Sequence, residues 1–389
     1  MIVGVDASNI VSGGGITHLT ELLRAGDPRD SGVFELIVWG GRDILDQIEE
    51  RPWIVKSHHP SLDRSLHDRL LWQSGQLCRL AQQARCDLLL VPGGSYVGGF
   101  RPFVAMSQNL LPFELRELRR YGWSWNRARL LLLRWAQSRT FRRAAGLIFL
   151  TEYARTVILR QVEAIAGPTT IIPHGVDERF ITPPREQLTI DRYTVERPFR
   201  ILYVSIINVY KHQSQVARAV SDLRRKGLPV VLDLVGPAYS PSLIQLRRTL
   251  HEIDPDGTSV RYVGPIPHGE LHERYAEAEL CVFASSCENM PNILLEGMAS
   301  GLPIACSDRG PMPEILGDSG VYFNPEDAAS ISQALLGLIE SRDLRARLAQ
   351  ASFQRAQAYS WHRCARETFG FLGELGRSPL HARMGAVRS

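Results

Sequence analysis

The sequence lacks most of the features that would mark a secreted, membrane-spanning or metal-stapled protein. Its six cysteines, Cys78, Cys86, Cys281, Cys287, Cys306 and Cys364, include no CxxC pair and no zinc-ligand spacing to histidine. Several sit in apolar runs, Cys281 in LCVFA and Cys306 in PIACS, and read as small buried hydrophobes of a reducing compartment. The chain opens on MIVGVDAS, a first strand and polar loop, with no basic n-region ahead of a longer apolar stretch. The longest leucine run, Leu130 to Leu133, is far short of a membrane span. A cytoplasmic protein is expected, free or lying at the inner face of the membrane. The net charge of +4 is small for 389 residues and argues against nucleic acid as a partner, which calls for a concentrated basic face. No DxD-like metal site is evident, so neither a metal nor any other cofactor is expected. Internal repeats and low-complexity tracts are missing as well.

What is there is a soluble composition, 44% hydrophobic and 22% charged, and enough chain for two domains. Short apolar runs alternate with helical patterns in two stretches, the pattern of parallel βαβ units. In the N-terminal half the expected strands are Ile2–Asp6, Phe34–Trp39, Asp87–Val91, Phe103–Met106 and Leu147–Leu150. In the C-terminal half they are Arg200–Ser205, Val230–Val235, Val260–Val263, Leu280–Ala284, Pro303–Cys306 and Gly320–Phe323. The expected fold is therefore α/β, with two Rossmann-like parallel-sheet domains facing a central cleft. Residues 1–177 form the first domain, proline-bearing 178–198 a linker, and 199–358 the second domain. A helix at 359–375 is expected to pack back toward the first domain, and 376–389 to form a flexible basic tail. Ligands of such sheets bind at the carboxyl ends of the strands.

The segment SSCENMPNILLEG, 285–297, follows one such strand and opens a helix. Glu288 falls in the loop and Glu296 about two turns inside the helix, facing the same cleft. Asn289, Met290 and Asn292 supply backbone N–H groups at the helix start, with Pro291 suited to the first turn, and anionic oxygen is attracted there. Two ordinary helix-terminal glutamates would share the same spacing, as Glu178 and Glu186 do. Ser12-Gly13-Gly14-Gly15 similarly lets backbone approach a ligand before the helix Ile16–Leu23, although a bare glycine turn reads the same way. A dinucleotide fingerprint would place a third glycine where His18 stands. His18 reads as a packed helix residue.

The run 285–327 resembles the nucleotide-sugar site of the family-4 retaining glycosyltransferases, with their Glu-x7-Glu pattern, apolar helix and following Gly-x-Pro strand. SGGGITHLTELL (12–23) resembles their N-terminal glycine loop, IIPHGVD (171–177) the strand into the linker, and YVSIINVYKHQ (203–213) the phosphate-contacting loop. NLLPFELRELRRYGW and TFRRAAGLIFLTEYAR resemble a bacterial branch that includes O-antigen mannosyltransferases. The resemblance implies a metal-independent hexosyltransferase of GT-B fold that retains anomeric configuration. Its donor would be a nucleotide diphosphate-sugar, and its acceptor a saccharide or polyprenyl-diphosphate-linked sugar of surface polysaccharide. Lys211 and Glu288 take the catalytic roles on this reading. Ser205, Lys211, Glu288, Asn289, Met290, Pro291, Asn292 and Glu296 bind donor, with Glu296 on the ribose. Gly13, Gly14, Gly15 and Asn109 form the acceptor and phosphate loop, and His174 is a cleft or hinge candidate.

The family's arginine, five residues before its lysine, is here Ile206, with Ser205 where glycine is usual. Lys211 is thereby left as the main cation, and Lys211→Ala is expected to cut transfer by orders of magnitude without harming the fold. A sugar-nucleotide epimerase of the same architecture, or a non-catalytic nucleotide-sugar-binding subunit, would share these motifs. Finally, 115–143 interleaves nine arginines with Trp123, Trp125 and Trp135, and Glu117 is its one acid. Such a stretch suits peripheral contact with an anionic membrane, or else a solvated basic face over a core helix.

Overall fold

Strands built of Val, Ile and Leu can bury both faces only between layers of helix, and this chain solves the problem twice. The computed structural model describes residues 1–11 and 13–377. It divides into two units, one of Met1–Leu118, Gly122–Gly175 and the segment from Ser360 onward, the other of Arg119–Tyr121 and Val176–Tyr359.

In the first unit the strands are β1 (Ile2–Asp6), β2 (Glu35–Gly40), β3 (Ile54–His58), β4 (Leu88–Val91), β5 (Phe103–Met106), β6 (Gly146–Phe149) and β7 (Thr169–Ile171). They form a 7-stranded sheet in the order β3-β2-β1-β4-β5-β6-β7, parallel throughout. β3 and β7 are absent from the expected strands. Both lie at sheet edges; β3 reads IVKSH with only its first residue buried, and β7 has only 3 residues. An edge strand covered on few sides needs no apolar run, so it leaves no such signature.

The helix Trp361–Arg377 completes this unit against the helix Gly14–Ala25 and the short turn Pro28–Ser31. It arrives so closely that a Cβ placed on Gly26 would stand 2.5 Å from Ala365 Cβ, and one on Gly373 2.2 Å from the Ser31 carbonyl oxygen. Gly376 and Arg377 continue that helix rather than starting a tail, and 378–389 lie outside the described residues.

In the second unit β8 (Phe199–Val204), β9 (Val230–Val235), β10 (Val260–Gly264), β11 (Leu280–Phe283), β12 (Ile304–Ser307) and β13 (Val321–Phe323) form a 6-stranded sheet. Its order is β10-β9-β8-β11-β12-β13, again parallel. Residues 178–198, expected as a linker, belong to this unit. Arg345, fully buried over the Phe199 ring, donates to Gln187 Oε1 (3.2 Å), to the Leu188 carbonyl, and to the carbonyls of Leu338 and Ile339 (both 2.6 Å). A guanidinium with its donors so occupied is a tolerable buried charge, and it pins the proline-rich segment to two helices. Among the described residues no helix is long and apolar enough to cross a membrane.

Candidate functional site

The strand order of the second unit reverses between β8 and β11, and a doubly wound sheet opens a crevice at such a switch point. The loops leaving those two strands carry Lys211 and Glu288. They are stitched together: Ser286 N–H donates to the Tyr210 carbonyl (2.8 Å), and its hydroxyl meets His212 Nε2 (2.8 Å). The Tyr203 hydroxyl, rising from β8, donates to the Lys211 carbonyl (2.7 Å) and fixes the loop from below. His212 adopts a left-handed conformation (φ 51°) as the helix Gln213–Arg225 begins. Lys211 is thereby turned inward.

The Lys211 ammonium forms an ion pair with the Glu288 carboxylate and lies over the rings of Tyr210 (5.2 Å) and Phe283 (5.3 Å). The side chains are 6% and 15% exposed, so water screens the pair little. Burial, with the Glu288 charge next, pushes the hydroxyls of Tyr203 and Tyr210 well above the usual tyrosine range. The carboxylate thus lies among protonated phenols and one cation.

Glu296 has different partners. The helix is Asn292–Ala299, so Glu296 stands just over one turn in, not two. It is buried, accepts from the Tyr275 hydroxyl (3.2 Å), and lies 3.1 Å from His268 Nε2. The hydrogen bond to Glu296 raises the His268 pKa above its ordinary value. Pro291 is the cap rather than the first helical residue; its carbonyl accepts from Leu294 N–H (3.0 Å). Asn289, Met290 and Pro291 are buried at this helix mouth, and Asn292 Oδ1 is buried with no hydrogen-bond partner among the described residues. Ser205 is buried too, its hydroxyl accepting from Gln213 Nε2 (2.8 Å). Gln213 also donates to the Ile206 carbonyl (2.9 Å), so the position without an arginine is held by its backbone.

In the first unit Gly13 (φ 67°) caps the helix Gly14–Ala25, and the space over Gly13 and Gly14 is open. Gly15 faces the Gln108 amide. Asn109 Oδ1 accepts from Leu111 N–H (3.1 Å) and shapes its own turn. His174 is not on an open wall. It is buried, its Nδ1 2.7 Å from His18 Nδ1, and both rings pack on Trp361. Burial lowers both histidines, His18 to about 4.

The helix Trp125–Arg143 buries Gln137, Thr140 and Phe141 and leaves Trp125, Leu131, Leu132 and Trp135 exposed, with Trp123 wholly exposed beside them under Arg127. Arg120 leaves this basic group; it pairs with Glu326 within the second unit.

Sequence reasoning did not find Tyr275 and His268 behind Glu296, nor the rings under the ammonium. An isolated Tyr in HERYAE, or a Tyr before Lys211, looks like any other core or surface residue.

Two parallel-sheet α/β units with a charged pair at the second switch point define a protein of GT-B fold. The solved structures it resembles agree. Sucrose-phosphate synthase of Thermosynechococcus elongatus matches with TM-score 0.75 and 18% identity, over 98% of this chain and 100% of that one. Anabaena Alr3699/HepE in complex with UDP-glucose matches with TM-score 0.70 and 16% identity, over 96% and 100%. Residues 198–341, within the second unit, match the model of the family Glycosyl transferases group 1. The O-antigen chain mannosyltransferase B of Escherichia coli is 31% identical over 109 residues, 28% of this chain and 29% of that protein. The chain spans about half or less of the length of the first relatives it matches.

Proposed function

We propose that the chain is a retaining glycosyltransferase. It moves a hexose from a nucleotide diphosphate-sugar to a saccharide or polyprenyl-diphosphate-linked acceptor during assembly of bacterial surface polysaccharide. The observation that carries this reading is the Lys211–Glu288 pair at the β8/β11 switch point. In the unliganded pair each charge neutralises the other. An entering diphosphate replaces Glu288 beside the ammonium, and the freed carboxylate accepts hydrogen bonds from sugar hydroxyls. The same ammonium then stabilises the charge that grows on the diphosphate as the glycosidic bond breaks. Backbone N–H groups of Asn289, Met290 and Asn292 donate to phosphate oxygen, and Glu296, aligned by Tyr275 and His268, takes the ribose hydroxyls.

The glycine loop Gly13–Gly15 and Asn109 serve the acceptor side. Retention rests on the family resemblance. The E. coli relative favours mannose, while the Anabaena neighbour was solved with UDP-glucose. No metal takes part in this scheme, because Lys211 supplies the positive charge; turnover should survive EDTA. The exposed Trp123, Trp125 and Trp135, with Arg129, Arg139 and Arg142 exposed on the same stretch, favour peripheral attachment to an anionic membrane.

The test is a thermal-shift panel of GDP- and UDP-sugars followed by product analysis. A bound donor at a hundred times its dissociation constant stabilises by about 2.7 kcal/mol. Transferred sugar supports the proposal. Isomerised donor makes the protein an epimerase, and binding without turnover makes it a nucleotide-sugar-binding subunit; either result defeats it.

A further inference from the structure

Above the carboxyl ends of β1, β2 and β3, within the first unit alone, lies a hollow of about 420 Å³. Its walls are Ser8, Ile10 and Val11 from the loop after β1, Gly41–Ile44 after β2, and Leu62–Arg64 with Arg69 after β3. Hollows of about 300–1,000 Å³ are the ordinary size for a small-molecule ligand. Three guanidinium groups line it, Arg42, Arg64 and Arg69, against two carboxylates, Asp43 and Asp63.

The carboxylates differ in how far they are committed elsewhere. Asp63 accepts from the Arg42 backbone N–H (2.7 Å) and lies 2.7 Å from His58 Nε2, and that backbone bond holds its pKa below the ordinary aspartate value. Asp43 is exposed. Arg69 is the most constrained of the cations. Its Nη1 reaches the Ser8 carbonyl (3.4 Å), while its Nε is buried with no hydrogen-bond partner among the described residues. Arg69 lies on the helix Leu66–Gly75, and one turn further along it Gln73 is fixed by Asp6 Oδ2 (2.5 Å), the Ser8 hydroxyl (3.3 Å), the Ser95 carbonyl (3.4 Å) and Val97 N–H (2.9 Å). The arginine therefore stands on a rigid base, and burial alone lowers its pKa from the ordinary value. A buried guanidinium N–H left without an acceptor is costly unless a ligand supplies one.

We propose that this hollow binds the oxyanion of an acidic saccharide, a phosphate ester or a uronic carboxylate, with Arg69 as the principal partner and Arg64 as the second. Planar guanidinium forks match both oxyanions in two-point contact. On the transferase reading, on which this assignment of the ligand as acceptor rests, the acceptor is an anionic sugar.

The experiment is calorimetric titration of the full chain, without donor, using glucose 6-phosphate, glucuronate, glucose and inorganic phosphate. At least one of the two acidic sugars should bind at least tenfold more tightly than glucose and than inorganic phosphate, more weakly at higher salt. Whichever of them binds identifies the oxyanion. Arg69→Met and Arg64→Ala should each weaken that binding at least tenfold while leaving the thermal shift by GDP- or UDP-sugar unchanged. Should Arg69→Met not fold, Arg64→Ala and Arg69→Lys carry the test, since both keep the core intact. Equal binding of glucose, binding of inorganic phosphate alone, or wild-type affinity in Arg64→Ala and Arg69→Lys would overturn it. Loss of the donor shift in the wild-type chain would instead strike the transferase reading and leave the anion titration standing.

Discussion

At the scale of single residues, Lys211 is a structural group, and on the proposed function a chemical one as well. Its charge is matched by Glu288 in a place with little water. Removing one member of a fully buried pair typically costs about 3–5 kcal/mol, because the survivor is left uncompensated; the partial exposure of Glu288 puts this pair toward the lower end. Lys211→Ala is therefore expected to lower transfer by at least about 100-fold and also to lower the unfolding midpoint, which revises the expectation of an unharmed fold. The paired change Lys211→Met with Glu288→Gln should restore most of the stability and none of the turnover. Urea titration and single-turnover assays on the same preparations check both halves; undiminished turnover in Lys211→Met would remove Lys211 from the mechanism. The two residues were legible in the sequence because each follows a strongly apolar strand and precedes a helix. Their supports were not. Tyr275 and His268 reach Glu296 from 21 and 28 positions away, and spacing carries no trace of such a meeting.

Among elements, the His18–His174 contact joins the helix Gly14–Ala25 to the chain leaving β7, with Trp361 of the last described helix packed on both rings. Burial holds both imidazoles neutral. The unfolded chain binds their protons near pH 6.5, so the stabilisation is complete above that value and is lost as pH falls from about 6.5 toward the folded value, about 4 for His18. By pH 5 the loss from His18 alone is on the order of 2 kcal/mol. Chemical denaturation at pH 7 and pH 5 should show that decline, and the double variant His18→Leu, His174→Leu should flatten it. An unchanged slope in the double variant would assign the acid sensitivity to other groups. The central strands of both sheets were legible from apolar runs such as LLLV and VVLDLV, since parallel interior strands bury both faces. The edges β3 and β7 were not, and the prolines of 178–198 suggested a tether because nothing local signals Arg345 gripping it from 157 residues away.

For the whole molecule, the exposed face of the helix Trp125–Arg143 sets the surface chemistry. Trp125, Leu132 and Trp135 face outward between arginines, an arrangement that lowers its free energy at an anionic lipid interface. Sedimentation with vesicles of mixed zwitterionic and anionic lipid should carry the protein down, and purely zwitterionic vesicles should not. Replacing Trp125, Leu132 and Trp135 with serine should leave it in the supernatant without shifting the unfolding midpoint. Equal sedimentation of the triple variant would locate the membrane contact elsewhere.

The placement of Trp361–Arg377 on the first unit has a consequence for biogenesis. Residues 1–175 emerge from the ribosome early, yet the surface around Gly26, Trp53 and Gly146 that Ala365, Phe369 and Leu375 cover stays bare until the whole second unit has been translated. For that interval the nascent chain offers chaperones a sticky, half-covered layer, and a protein cut back before Trp361 would keep that layer permanently. Aggregation of such a truncation, relieved when a peptide spanning 361–377 is supplied in trans, is what this order of synthesis entails.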